Sequence, residues 1–157
     1  MIKILFVCWG NICGSPMAEY IMKDLVRKKG LQDVIYIESA ATSTEEIGNP
    51  VYPPAREELR RHGIECKGHH ARQVRASDYE KFDYIIAMED IHYRIMRDRF
   101  FGGRSDKISL CMDHSSHPGV QIDDPWYTGD FVTAYSQIEE GVRGLLDEIL
   151  NSEGRNP

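Results

Sequence analysis

The run from Ile2 to Val7 constrains the fold of this chain more than any other segment. It is apolar except at Lys3 and rich in branched side chains, which is typical of a strand covered on both faces of a sheet. A helix signal follows shortly afterwards. Ser15-Pro16 offers a capping residue and a proline at the first helical position, and apolar residues then recur at helical spacing as far as Gly30. We therefore predict a strand, a short loop and a helix at the start of the chain.

The same alternation continues along the sequence. Strands are predicted at 34–37, 84–88 and 108–110, and helices at 55–62 and 130–150. Alternating strands and helices predict an α/β fold with a parallel sheet and helices on both faces. Ligands of such sheets bind beyond the carboxyl ends of the strands, and the loop from Cys8 to Ser15 occupies that place. The stretches 48–54 and 118–129 are predicted to be long loops, which are often functional.

Composition narrows the class of protein. With 157 residues, 41% of them hydrophobic, the chain is predicted to form a single domain over 1–157. A net charge of -6 leaves no broad basic surface for nucleic acid. No run of about 18 apolar residues is present for a membrane helix, and the apolar start breaks at Cys8, too early for a secretory signal. We expect a cytoplasmic protein without nucleic-acid or membrane partners, and the oligomeric state stays open.

The chain contains four cysteines: Cys8, Cys13, Cys66 and Cys111. A domain of this size does not need disulfides, so we predict reduced thiols. Four potential zinc ligands lie near one another in sequence, namely His62, Cys66, His69 and His70. Their spacing matches no standard zinc motif, so we predict a surface loop there and neither a metal nor a cofactor in the protein.

The segment from Cys8 to Ser15, which we call the phosphate loop, is predicted to bind an anion. Its central residues are Trp9, Gly10, Asn11, Ile12, Cys13 and Gly14. Backbone N–H groups in a turn that leads into a helix can converge on an anion, and the helix dipole adds to their effect. The same potential would favour the nucleophilic thiolate of Cys8. Ser15 would either hydrogen-bond that thiolate or cap the helix, and Asn11 tolerates left-handed backbone and can brace the loop.

Asp124 is the second candidate for chemistry. Cleavage of a phosphate ester requires a proton on the leaving oxygen, and a carboxylic acid beside aromatic walls can retain and deliver one. Trp126 and Tyr127 would either stack on an aryl substrate or pack over the core. Taken alone, Cys8 reads more simply as a small buried side chain and Asp124-Pro125 as a turn. Their joint presence favours the functional interpretation.

Several blocks of the sequence, in order, resemble the low-molecular-weight protein tyrosine phosphatases. The matching blocks are Val7-Cys8, Gly10-Asn11-Ile12-Cys13, Ser15-Pro16-Met17-Ala18-Glu19, Ser39-Ala40-Ala41-Thr42-Ser43, Gly48-Asn49-Pro50, Ala71-Arg72-Gln73, Phe82-Asp83-Tyr84-Ile85, Met88 and Asp124-Pro125-Trp126-Tyr127. The resemblance implies a four-stranded parallel sheet, no metal and a phosphocysteine intermediate on Cys8. It also implies that Asp124 acts first as acid and then as base, and that Cys13 can trap oxidised Cys8 as a reversible disulfide.

The sequence departs from the family pattern at Gly14. The family places an arginine there, whose planar guanidinium grips two phosphate oxygens and matches charge in the transition state. Loss of one such group costs about 3 to 4 kcal/mol, roughly 10²- to 10³-fold in rate. We therefore predict a phosphatase that retains Cys8 and Asp124 but whose activity is reduced because Gly14 replaces the arginine.

A second departure concerns the walls of the cleft. Glu45 stands where many relatives carry an aromatic residue, while Trp9 follows the nucleophile, where a smaller side chain is common. We therefore expect Trp9, and not residue 45, to provide the aromatic wall of the cleft. The acidic wall is expected to repel acidic residues that flank a phosphotyrosine.

Two other functions remain open at this stage. One is a phosphate-binding pseudophosphatase in which Gly14 has abolished turnover. The other is an arsenate reductase, which would need a further pair of redox cysteines, and Cys66 and Cys111 are far apart in sequence. The expected partner is a phosphotyrosine-bearing protein or a small aryl phosphate, with phosphoarginine as an open alternative.

Overall fold

A computed structural model describes residues 1–154 of the chain. The strands are β1 (Ile2–Cys8), β2 (Ile35–Ala41), β3 (Tyr84–Ala87) and β4 (Ile108–Leu110). The helices are α1 (Gly14–Lys28), α2 (Pro53–Arg61), α3 (Asp78–Lys81), α4 (Asp90–Ile95), α5 (Pro125–Thr128) and α6 (Phe131–Ser152). A π-helical turn at Met96–Phe100 extends α4, and a 3-10 turn at Cys111–His114 follows β4.

The strands form one parallel sheet in the order β2-β1-β3-β4. This confirms the predicted fold class. The first strand lies in the interior of the sheet, and all of its side chains from Ile4 to Val7 are fully buried. A strand covered on both faces must be apolar on both, which is why the sequence of β1 does not alternate.

The two faces of the sheet pack against different helices. Ile4 and Phe6 of β1 belong to a core built with α1, α2 and α6, whereas Leu5 and Val7 belong to a core on the opposite face, with residues of α3 and of the segment after β3. Because β1 is fixed from both sides, its carboxyl end holds Cys8 at a defined position. The phosphate loop therefore leaves a rigid scaffold.

Several local predictions need correction. Helix α1 begins at Gly14 with Cys13 at the N-cap position, so Ser15 lies inside the first turn and does not cap the helix. The predicted loop at 118–129 contains α5, and α3 and α4 were not predicted. These short helices lack the repeated apolar spacing on which a sequence-based prediction depends.

Among residues 1–154, all four cysteines are free thiols. In the same part of the chain, no group of three or more histidine, cysteine or acidic side chains is arranged to hold a metal ion. None of the described helices is both long and apolar enough to cross a membrane.

Candidate active site

The backbone of the phosphate loop folds around the sulfur of Cys8. Asn11 adopts the left-handed conformation with φ 61°, which Asn tolerates better than most residues. Its N–H then points back at Cys8 Sγ, 3.3 Å away. The N–H of Ser15 also approaches this sulfur. The predicted role of Asn11 in the turn is thus matched by its geometry.

Ser15 supplies the closest side-chain contact to the thiol. Its Oγ lies 2.9 Å from Cys8 Sγ. The same hydroxyl accepts a hydrogen bond from Asn11 Nδ2 at 2.9 Å, and both side chains are completely buried. Of the two roles expected for Ser15, the structure therefore shows the hydrogen bond to the nucleophile.

A buried polar network supports the loop from behind. Asn11 Nδ2 also donates to Ser39 Oγ at 2.9 Å, and Ser39 donates to the buried carboxylate of Glu19. His69 Nε2 lies 2.8 Å from the carbonyl oxygen of Asn11, and the Arg72 N–H donates to Asn11 Oδ1 at 3.2 Å. A satisfied network of this kind fixes one loop conformation, because any member left unpaired in the interior would carry a large desolvation cost. Sequence reasoning assigned no role to Ser39, Glu19 or His69.

The other amides of the loop are uncommitted. Within residues 1–154, no protein acceptor receives the N–H of Gly10, Ile12, Cys13 or Gly14. Buried or half-buried backbone donors normally have a partner, so a row of free donors next to a pocket favours an anionic ligand.

Burial opposes ionisation of Cys8. Only 7% of the residue is exposed, and this desolvation raises the pKa of its thiol, against the hydrogen bonds from Ser15 and Asn11 that lower it. The hydrogen bonds of the loop therefore act in the direction that we predicted for the thiolate, while burial acts in the opposite direction. Burial also raises the pKa of the neighbouring Cys13.

Asp124 stands at the mouth of the same pocket. Its carboxylate accepts the Trp126 N–H at 3.0 Å and so caps α5. Burial raises the pKa of Asp124, which keeps the carboxyl protonated to a higher pH than usual, and its charge reaches Cys8 as well. The fold thus brings together two residues separated by most of the chain.

The pocket over Cys8 is aromatic and acidic. It is lined by Cys8, Trp9, Gly10, Ile12, Cys13, Glu45, Glu46, Asp124, Trp126 and Tyr127. Trp9 Nε1 donates to Glu45 Oε2 at 3.1 Å, so these two side chains form one wall together. Trp126 and Tyr127 are 49% and 79% exposed, and the ring of Trp126 packs against Tyr52 with its centroid 4.7 Å away. None of the described residues that line this pocket is a lysine, arginine or histidine.

Gly14 lies next to the nucleophile, and its surroundings leave room for a Cβ. A Cβ placed at this position would meet Met88 Cγ at 3.5 Å and Cys8 Cβ at 4.0 Å, which are ordinary van der Waals distances. The backbone therefore accepts a side chain at this position, next to the nucleophile.

Comparison with known proteins decides the family. The profile described as low molecular weight phosphotyrosine protein phosphatase matches residues 3–156. The low molecular weight protein-tyrosine-phosphatase YfkJ of Bacillus subtilis is 41% identical over 150 residues, which cover 95% of this chain and 96% of YfkJ. The chain belongs to the low molecular weight phosphotyrosine protein phosphatase family. It is thus a member of a family of cysteine-dependent protein-tyrosine phosphatases, as the sequence motifs predicted.

Solved structures of the low molecular weight phosphatases show the same fold. The crystal structure of YfkJ has a TM-score of 0.93 at 40% identity and covers 97% of this chain and 96% of its own. The structure of DARP, a Drosophila arginine phosphatase, has a TM-score of 0.82 at 34% identity, with 94% and 98% of the two chains covered. The scaffold is therefore shared by proteins named for different phosphorylated residues.

Proposed function

We propose that this chain hydrolyses phosphotyrosine and related aryl phosphate esters, with Cys8 as nucleophile and Asp124 as general acid and base. The observation that carries the proposal is the position of Cys8 Sγ. It lies at the floor of the pocket, in hydrogen-bond contact with Ser15 and the Asn11 amide, and electrostatically coupled to Asp124. Free loop amides surround it and can hold the phosphoryl oxygens.

In the first step, the Cys8 thiolate attacks phosphorus and the bond to the phenolic oxygen breaks. Asp124 gives its proton to that oxygen, so that a neutral phenol leaves. In the second step, Asp124 removes a proton from water, which attacks phosphorus and breaks the phosphorus–sulfur bond. Phosphate leaves, and Cys8 returns to the thiolate. Ser15 stabilises that thiolate by its hydrogen bond each time it forms.

The aromatic walls favour an aryl ester as substrate. Trp9, Trp126 and Tyr127 can stack on a phenyl ring, and offset stacking stabilises such contacts by about 0.5 to 1.5 kcal/mol per pair. The likeness to an arginine phosphatase makes phosphoarginine the competing substrate. Turnover of matched peptides that carry phosphotyrosine or phosphoarginine separates the two, and we expect the phosphotyrosine peptide to be preferred.

Restoring the cation is the experiment that tests the proposed function. We expect Gly14→Arg to raise kcat/KM for an aryl phosphate about 10²- to 10³-fold, because the guanidinium stabilises charge that develops on the phosphoryl group. Gly14→Gln is the matched control, since it adds comparable bulk without charge, and Gly14→Lys should recover less than arginine because it cannot bind two oxygens in one plane. Cys8→Ser in the Gly14→Arg background should abolish turnover.

The second candidate function is a pseudophosphatase that binds phosphate without turnover, and Gly14 is the observation that favours it. No hydrolysis by either the native chain or Gly14→Arg, with phosphate still bound by both, would replace our proposal with this one. Arsenate reduction would instead show as thiol-dependent consumption of arsenate, for which the described part of the chain holds no disulfide relay.

A further inference from the structure

A second cavity behind the phosphate loop is rich in positive charge. Its lining includes Arg56 and Arg60 of α2 and Lys67 of the next loop, together with Cys66 and His69. Glu65 is the one carboxylate among its lining residues. This is the reverse of the pocket over Cys8, which has three carboxylates and no cation in its described lining.

The three cations are available to a ligand. Within residues 1–154, the Arg56 guanidinium has no ion-pair or hydrogen-bond partner. Arg60 lies 3.5 Å from Glu57 and Lys67 lies 3.3 Å from Glu65, in pairs whose side chains are all more than half exposed. Exposed pairs of this kind contribute little and exchange readily for a better partner. Arg60 also compensates the dipole at the end of α2, but Arg56, one turn earlier, does not have that role.

Arg56 and Arg60 line the same cavity as Cys66 and His69. Burial raises the pKa of the Cys66 thiol, and the positive charges of Arg56 and Arg60 both act against that rise. Cys66 is 8% and His69 9% exposed. Two guanidinium groups that line one cavity offer planar donor sets of the kind that bind the oxygens of a phosphate group.

The floor of this cavity is also the back of the phosphate loop. His69 Nε2 contacts the Asn11 carbonyl oxygen at 2.8 Å, and the N–H of Asn11 points at Cys8 Sγ. His69 Nδ1 lies 3.8 Å from Glu19 Oε1. Two contacts therefore connect the cavity with the nucleophile, through the residue whose left-handed backbone shapes the loop.

We propose that this cavity binds a phosphate-class dianion, either inorganic phosphate or a phosphomonoester, and that the bound anion holds His69 against Asn11. The site is separate from the pocket over Cys8 and does not depend on turnover there. Through this second site, the concentration of phosphate would affect the conformation of the phosphate loop.

The test is a titration of the ¹⁵N-labelled protein with inorganic phosphate, followed by NMR. We expect saturable shifts of the amides at 65–69 and of the Asn11 side-chain amide, with one shared Kd. Arg56→Gln with Arg60→Gln should weaken this transition about tenfold or more, because two charge-assisted contacts are lost. Lys28→Gln with Arg97→Gln removes the same charge from distant surfaces and should leave the Kd unchanged.

Separate Kd values distinguish this inference from the proposed function, since phosphate over Cys8 shifts the amides at 9–14 with a Kd of its own, which the double variant should leave unchanged. Shifts at 9–14 without shifts at 65–69, or equal binding by the double variant, would overturn the second site and leave the proposed function intact. Should the double variant not fold, Lys67→Gln must weaken the transition at 65–69 in its place. A parallel titration with glycerol 3-phosphate identifies the source: tighter binding than inorganic phosphate indicates a phosphomonoester, and weaker binding indicates free phosphate.

Discussion

At the residue scale, we propose that Gly14 separates two properties of the phosphate loop, because the family resemblance implies an arginine at this position. The loop presents free amides to an anion, but none of the described residues that line the pocket over Cys8 is a cation. Burial raises the pKa of the Cys8 thiol. The proposal therefore expects the nucleophile and the transition state to be weakened together, for the same electrostatic reason.

The ionisation of Cys8 can be measured without any turnover. We expect Gly14→Arg to lower the pKa of this thiol, because an adjacent positive charge favours the thiolate, and to speed its alkylation by iodoacetamide at pH 7 at least about tenfold. The pH profile of alkylation, read by mass spectrometry at Cys8, checks this. Gly14→Gln should leave the pH profile of alkylation unchanged. An equal shift of the profile in that variant would show that loop packing, and not charge, is the cause.

The pH dependence of turnover should report Asp124. The first step requires its protonated form, and burial raises the pKa of this carboxyl, so kcat/KM should decline only above the ordinary range for aspartate. In the Gly14→Arg background, Asp124→Asn should remove that decline and lower kcat about 10²- to 10³-fold for a poor leaving group. Activated aryl phosphates should lose much less. An equal loss for both leaving groups would show that Asp124 does not deliver the proton.

At the scale of elements, Arg72 fastens the sheet to the segment that braces the loop. Its guanidinium contacts Glu38 of β2 at 3.0 Å and Asp78 of α3 at 2.9 Å, and its own N–H binds Asn11. The Asp78 side chain is only 2% exposed. Loss of the arginine would therefore leave a buried carboxylate without its cation.

We expect Arg72→Met to reduce the free energy of unfolding by about 3 to 5 kcal/mol, which is typical when one member of a buried pair is removed. Arg97→Met provides the control, because the Arg97–Asp98 pair is exposed and its loss should change stability by about 0.5 kcal/mol or less. Urea unfolding at neutral pH measures both. Similar losses for the two variants would contradict the structural role of Arg72.

The ion pair between Arg72 and Glu38 predicts how the free energy of unfolding changes at acid pH. Burial alone would raise the pKa of Glu38, but Tyr36, Lys81 and Arg72 lower it to about 2. This stabilisation is complete above the ordinary glutamate pKa and is lost as the pH falls from there towards about 2. Arg72→Met should therefore lose less stability between these values than the native chain does.

The sequence predicted the strands and long helices well because their signals are local. The apolar run of β1 and the helical spacing of α6 each express one continuous pattern of burial. The pocket was predicted in part, since Cys8, Asp124 and the aromatic walls belong to recognisable blocks. The support behind the loop was missed because Ser39, Glu19 and His69 act only through pairings that the fold creates, and a buried polar residue has no periodic signature.

On the scale of the whole molecule, negative charge lies in the pocket over Cys8 and positive charge lies behind the phosphate loop. The net charge is -6, the pocket over Cys8 is lined by Glu45, Glu46 and Asp124, and the cavity behind the loop is lined by Arg56, Arg60 and Lys67. Under the proposed function, the phosphate group of a substrate would therefore be repelled by the carboxylates of the pocket. Positive residues in the substrate would offset that repulsion.

We therefore expect phosphotyrosine peptides with basic flanking residues to show a kcat/KM about tenfold above that of acidic ones at low salt. The difference should shrink as salt rises, because the Debye length falls from about 30 Å at 0.01 M to about 3 Å at 1 M. Glu45→Gln should reduce the preference while retaining an acceptor for Trp9, whereas Glu57→Gln, on the exposed surface of α2, should not. Equal turnover of both peptides at low salt would show that the acidic wall does not select the substrate.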